Sequence, residues 1–213
     1  MKIYNNLLSK DECEAFKSFW QKNKDSSYVN AEVDGQIIDR RIVITPEYKP
    51  YYDIVKRIVN RVFENTYDMW AAYQEQSFCH DIHIDDYRKE QSKHDRYTII
   101  LSMDTIPEFR TVVWRDECIN NDELTKRVKF WQLKHKFSRR SNISEDQDLE
   151  HTINYNNDYF CDYLVLDDVY TYKQGGGAAF KATQLHCTSN WKKYPQFTSR
   201  QLLQIHTLAD RIK

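Results

Sequence analysis

The sequence predicts an α+β fold, mainly β, and three observations carry that expectation. Helical periodicity is concentrated in the first third of the chain, strand-length runs follow from about residue 70, and aromatic residues reach 14%, with 15 tyrosines. Aromatic and β-branched side chains suit a pleated, half-buried surface. Helices first and many short strands afterwards read as a β-sandwich or barrel core with helices packed on it.

Taken in order, Ser9 and Glu12 have the spacing of a capping box, with serine at the N-cap and glutamate at N3. Ala15, Phe16, Phe19 and Trp20 then form an apolar stripe at helical spacing. A short strand is expected over Arg41–Ile44, ending at Pro46. Beyond Pro50, the residues Val55, Ile58, Val59, Val62 and Phe63 recur at three and four, which predicts a second amphipathic helix over about 50–65. Trp70 to Tyr87 alternates loosely. Clear strands are expected at Tyr97–Met103, Arg110–Trp114, Tyr163–Leu166, Ala178–Phe180, Thr183–Cys187 and Arg200–Leu208. Residues 116–160 break the pattern with charge and asparagine, and read as a solvated loop or a lid, with a helix near 122–135 inside it. At 213 residues the chain is expected to be one domain, with 1–70 as helical support and 71–213 as the β core carrying that insertion.

Charged residues make up 30% of the chain but nearly cancel, to a net charge of −1. That argues against bulk electrostatic binding to nucleic acid or an anionic membrane. The five cysteines are odd in number, widely spaced and without a CxxC pair, so reduced thiols in a cytoplasmic protein are expected. Neither a signal-peptide run at the start nor an 18-residue apolar stretch is present, so no membrane span is expected.

The chemistry-bearing motif is His83-Ile84-Asp85, the one His-x-Asp in the chain. On a strand, residues two apart share a face, so the imidazole and the carboxylate can bind one metal ion. His186 would complete a set of two histidines and one carboxylate. That facial arrangement leaves coordination positions open and is used by non-haem Fe(II) oxygenases. Gly175-Gly176-Gly177 precedes His186 and permits a tight reversal. Arg200 follows His186 by fourteen residues at the start of the last strand, where its planar fork suits a carboxylate; Lys193, at seven residues, is the alternative cation. His206 shares strand parity with Arg200 and reads as a core histidine facing the interior. Trp191 reads either as a pocket wall or as core packing.

His83, Asp85, His186 and Arg200, together with the helix opening Leu7-Leu8-Ser9-Lys10-Asp11-Glu12-Cys13-Glu14, resemble the Fe(II)/2-oxoglutarate-dependent dioxygenase superfamily. The nearest branches are the prolyl-hydroxylase-like and phytanoyl-hydroxylase-like enzymes. The resemblance implies a double-stranded β-helix, the jelly-roll or cupin-like core, with flanking N-terminal helices. It implies His83, Asp85 and His186 as iron ligands, Arg200 as the partner of the distal carboxylate of 2-oxoglutarate, and Tyr97 as a second contact to that carboxylate. The activity implied is a dioxygenase that uses Fe(II), 2-oxoglutarate and O2, with ascorbate in support. It would hydroxylate a substrate C–H and release succinate and CO2. A small metabolite, amino acid or peptide is the expected substrate class. Two other readings stay open. One is a non-catalytic jelly-roll binding module, which would leave His186 beyond about 5 Å from the His83–Asp85 pair, out of metal-ligand reach. The other is a metal enzyme that does not use 2-oxoglutarate.

Overall fold

The capping box forms as the spacing predicts, and it fixes where the first helix begins. The Ser9 side chain accepts from the Glu12 backbone N–H, and the Glu12 carboxylate accepts from the Ser9 N–H at 2.8 Å. These bonds satisfy two of the donors that a helix start leaves without an intrahelical partner. The computed structural model describes residues 1–78, 83, 85, 94–114, 166–189, 191 and 194–213. Within them the elements run β1 (Lys2–Tyr4), α1 (Lys10–Asn23), β2 (Tyr28–Val33), β3 (Gln36–Val43), α2 (Lys49–Val62), β4 (Phe63–Thr66), β5 (Trp70–Gln76), β6 (Asp95–Ser102), β7 (Ile106–Trp114), β8 (Leu166–Tyr172), β9 (Gly177–Lys181), β10 (His186–Thr188) and β11 (Arg200–Ile212). The expected loop or lid at 116–160, the helix near 122–135 and Lys193 lie outside the described residues.

The strands form two antiparallel sheets, a jelly-roll core. The larger has the order β1-β9-β6-β11-β5-β3-β2, with β4 also pairing β11; the smaller has the order β10-β7-β8. The N-terminal third supplies strands as well as helices, because β1, β2, β3 and β4 all join the larger sheet. The β2–β3 hairpin departs from the single short strand expected there. Its turn residues Asp34 and Gly35 both have positive φ, at 51° and 74°. That is the backbone a two-residue hairpin loop requires, and Asp-Gly is a favoured pair for it.

The central strands of the larger sheet, β5, β6 and β11, are largely buried on both faces, and the two faces differ in chemistry. Phe16, Phe19 and Trp20 of α1 and Val55, Ile58, Val59 and Val62 of α2 pack with Tyr73, Tyr97, Ile99, Leu101, Leu203 and Ile205 of the sheet. Burying each such side chain contributes about 1.5–3 kcal/mol, so this layer anchors the sheet. On the opposite face, Ile100, Ala178, Phe180 and Leu202 meet Phe109, Val113, Tyr170 and Tyr172 of the smaller sheet. Trp191 belongs to this second cluster, fully buried against Phe109, so it is core packing.

The glycine run ties the chain start to this framework. Gly175 has φ +73°, and a Cβ there would meet the Leu8 carbonyl oxygen at 2.2 Å. The Gly175 carbonyl accepts from the N–H groups of both Leu7 and Leu8. Only glycine allows this approach.

Candidate metal and carboxylate site

The two sheets enclose a cavity of about 190 Å³. The larger sheet lines it with Arg41, Gln74, Gln76, Ile100, Arg200, Leu202, Gln204 and His206, and the smaller sheet with Thr111, His186, Cys187 and Thr188. His83 and Asp85 close it from a segment between β5 and β6. These two residues do not sit on a regular strand, as the His-x-Asp alternation predicted. His83 forms an isolated antiparallel bridge with His186, through two backbone hydrogen bonds of 2.9 Å. The Asp85 N–H donates to the Ala182 carbonyl at 2.9 Å. The pairing replaces a strand in bringing the motif to the distal histidine.

One ligand atom from each of His83, Asp85 and His186 lies within 4.8 Å of the others. His83 Nε2 is 3.7 Å from Asp85 Oδ1, and His186 Nε2 is 3.5 Å from Asp85 Oδ2. Two donors on bonds of about 2.0–2.2 Å to one ion stand about 3.0–3.6 Å apart at cis or tetrahedral angles, so the two Asp85 contacts are close to that and a small inward shift of the side chains would complete the set. The donor set therefore fits a divalent transition metal, and His186 is inside the limit that separates a ligand set from a bare binding module. His186 is also prepared for the role. Its Nδ1–H donates to the Gln184 carbonyl at 2.9 Å, which turns Nε2 toward Asp85. A backbone carbonyl on the far nitrogen is the usual way to fix a ligating imidazole. Burial pushes the Asp85 carboxyl upward, but the His186 imidazole beside it, with His206 and His83, holds it well below the usual carboxylate range. Asp85 is thus an anion at neutral pH.

Arg200 stands on the cavity wall, 4% exposed. Its Nε and Nη2 donate to Gln76 Oε1 at 2.9 and 2.5 Å, and its Nη1 donates to the Tyr172 hydroxyl at 2.9 Å. A guanidinium carries five N–H donors. Three are used in these bonds, leaving one on each terminal nitrogen for a bidentate acceptor. Gln76 Nε2 donates on to Gln74 Oε1 at 3.2 Å, and Gln74 Nε2 to Gln204 Oε1 at 2.9 Å. The wall behind Arg200 is therefore a hydrogen-bonded amide ladder across β5 and β11.

Tyr97, expected beside the carboxylate, is on the other face of β6. It is buried among the helix-facing residues, with its ring 5.0 Å from that of Phe63. Alternation puts Thr98, Ile100 and Ser102 on the cavity side instead. Tyr172 is the tyrosine whose hydroxyl reaches Arg200. The expected strand at Tyr163–Leu166 ends where the observed strand, Leu166–Tyr172, begins, and residues 163–165 lie outside the described residues. Gln204 and His206 were accessible from the sequence through their parity with Arg200. His206 does face the cavity; it lies outside the three-ligand cluster, and its Nδ1 is 3.1 Å from Thr98 Oγ1. Burial pushes its imidazole below the usual value against the pull of Asp85, so it is neutral at pH 7.

No protein-family model matches the chain, and no curated protein does. Solved structures do match across nearly its whole length. The non-haem alpha-ketoglutarate-dependent carbocyclase SnoK from nogalamycin biosynthesis is 10% identical, with a TM-score of 0.56 over 97% of this chain and 78% of that one. A prolyl-4-hydroxylase from Pseudomonas putida is 11% identical, with a TM-score of 0.51 over 99% and 92%. HygX from Streptomyces hygroscopicus, solved with nickel and 2-oxoglutarate bound, is 12% identical, with a TM-score of 0.52 over 97% and 82%. The chain is built on the same jelly-roll framework as these three structures.

Proposed function

We propose that the protein is an Fe(II)- and 2-oxoglutarate-dependent oxygenase. His83, Asp85 and His186 hold the metal, and Arg200 holds the distal carboxylate of 2-oxoglutarate. The observation that carries this reading is the convergence of the three ligand atoms within 4.8 Å at a cavity that Arg200 also lines. Neither half alone would be enough. A lone cluster could hold a structural ion, and a lone buried arginine could be a core ion pair.

The roles follow from chemistry already in place. Two neutral imidazoles and one carboxylate leave a divalent ion with a single net positive charge and open positions, which suits a chelating keto acid. Arg200 offers one remaining donor on each terminal nitrogen, and the amide ladder behind it keeps the fork from turning. Arg200 and His186 are both buried in the cavity wall, and lower local polarity strengthens their charge contacts. A bound Fe(II) ion would activate O2, the oxidant: one oxygen atom would enter 2-oxoglutarate as it loses CO2 to give succinate, and the other would enter a substrate C–H bond.

Hydroxylation is the outcome we favour, because Asp85 occupies the ligand position that a halogenase leaves to a halide. The structural neighbours include both a carbocyclase and a hydroxylase, so the outcome depends on how substrate meets the site. The cavity walls carry Arg41, Gln74 and Gln204, which suits a small polar metabolite, amino acid or peptide side chain. The test is succinate release with Fe(II), ascorbate and 2-oxoglutarate under air. Wild-type protein is expected to form succinate, slowly even without substrate, and Asp85→Ala to form none above background. Equal succinate from both proteins would overturn the assignment.

A further inference from the structure

We propose that His206 and Thr98 form a directed hydrogen-bond relay that positions Asp85, setting the plane of its carboxylate between His83 and His186; this rests on the reading of those three residues as the metal site. Thr98 Oγ1 donates to Asp85 Oδ2 at 2.6 Å, and the same oxygen lies 3.1 Å from His206 Nδ1. A hydroxyl has one proton. An ionised carboxylate can only accept, so that proton is committed to Asp85. The contact to His206 is then a hydrogen bond only if His206 Nδ1 carries the hydrogen and donates. The donors run His206 to Thr98 to Asp85 and end on the negative charge.

The geometry gives this relay a purpose that packing alone does not. Asp85 lies outside every strand, and its backbone N–H is held by the Ala182 carbonyl. The last torsion of an aspartate side chain is broad, so the backbone does not set the carboxylate plane. A short charge-assisted bond does. With Oδ2 held by Thr98, Oδ1 is turned toward His83 Nε2 at 3.7 Å while Oδ2 stays 3.5 Å from His186 Nε2. Thr98 and His206 are directly opposite one another on β6 and β11, in the middle of the larger sheet. The relay is therefore mounted on its rigid part. The His206 ring also packs on Trp70 at 5.3 Å, which limits its rotation. Both residues are positioning residues and neither belongs to the three-ligand cluster.

The test combines titration of Co(II) into metal-free protein with long-range 15N NMR of the histidine rings. Thr98→Val removes the hydroxyl and keeps the shape. It is expected to weaken Co(II) binding by about 10–100-fold, the usual cost of losing an outer-shell partner, and Thr98→Ser to restore most of the affinity. His206→Leu is expected to weaken binding, and His206→Asn, which keeps an N–H near the Nδ1 position, to recover it. In metal-free wild-type protein the His206 ring is expected as the Nδ1–H tautomer. That NMR result needs no variant to fold and no metal to bind. An Nε2–H tautomer, or Thr98→Val binding Co(II) as the wild type does, would overturn the relay and leave the metal assignment standing. Wild-type protein that takes up no Co(II) while showing the Nδ1–H tautomer would overturn the metal assignment and with it the relay's purpose.

Discussion

The two faces of the larger sheet use the same strands to opposite ends. On β6 and β11, Tyr97, Ile99, Leu101, Leu203 and Ile205 turn to the helices, while Thr98, Ile100, Ser102, Arg200, Gln204 and His206 turn to the second sheet. Both faces are screened from solvent, so exposure does not tell them apart. The helix-facing side is filled by apolar volume. The cavity-facing side spends its burial on polar groups, each of which must find a partner because an unsatisfied one costs about 1–3 kcal/mol. Stability rests mainly on the first face, and the proposed function on the second.

The largest expected effect breaks the first face. Phe16→Ala removes a fully buried ring beside Tyr51 and Tyr73, and should cost about 3–5 kcal/mol in urea unfolding. Metal affinity per folded molecule should stay at the wild-type value. A matching fall in metal affinity would mean that the faces are coupled rather than divided.

Next comes the second face. Arg200→Ala strips a charged donor from a buried network and should weaken 2-oxoglutarate binding by about 2–5 kcal/mol, read by calorimetry on the metal-loaded protein. Arg200→Lys should fall between the two, because an ammonium lacks the planar fork. A smaller loss tests the frame that holds both faces. Ser9→Ala should cost about 0.5–2 kcal/mol of stability, through the lost cap, with 2-oxoglutarate affinity unaltered. The smallest effect is the sharpest test of the face assignment. Tyr97→Phe, one residue from Thr98 but on the helix side, should leave 2-oxoglutarate affinity unchanged and cost no more than about 1 kcal/mol. Weakened 2-oxoglutarate binding in that variant would mean that Tyr97 reaches the site after all.

That single-residue offset marks how far the sequence could be read. The helices were legible because α1 and α2 bury one stripe each, and a stripe on a helix has a period that survives in the sequence. The capping box and the principal strands were legible for similar local reasons. His83, Asp85, His186 and Arg200 stood out because their residue types are rarely assembled without a use. Tyr97 was misplaced because alternation gives the parity of a strand and not its sense. With both faces buried, the more apolar set reads as the interior, although it faces the helices. The Asp34-Gly35 hairpin has a local signal in its Asp-Gly pair, set in a third of the chain where helical periodicity dominates. Thr98, Tyr172 and the Gln74–Gln76–Gln204 ladder were hidden for a deeper reason. Their roles exist only through register between strands far apart in sequence, such as Gln76 against Arg200 and Thr98 against His206.

The central claim is that one cavity binds a metal through His83, Asp85 and His186 and a keto diacid through that metal and Arg200. Anaerobic calorimetry tests it directly, with Fe(II) titrated first and 2-oxoglutarate second, on wild type, Asp85→Ala and Arg200→Ala. One Fe(II) per chain is expected in wild type and in Arg200→Ala, and none in Asp85→Ala. Tight 2-oxoglutarate binding is expected only in the iron-loaded wild type, weakened by about 2–5 kcal/mol in Arg200→Ala and lost in Asp85→Ala. Iron binding that survives Asp85→Ala, or 2-oxoglutarate binding that is indifferent to both iron and Arg200, would contradict it.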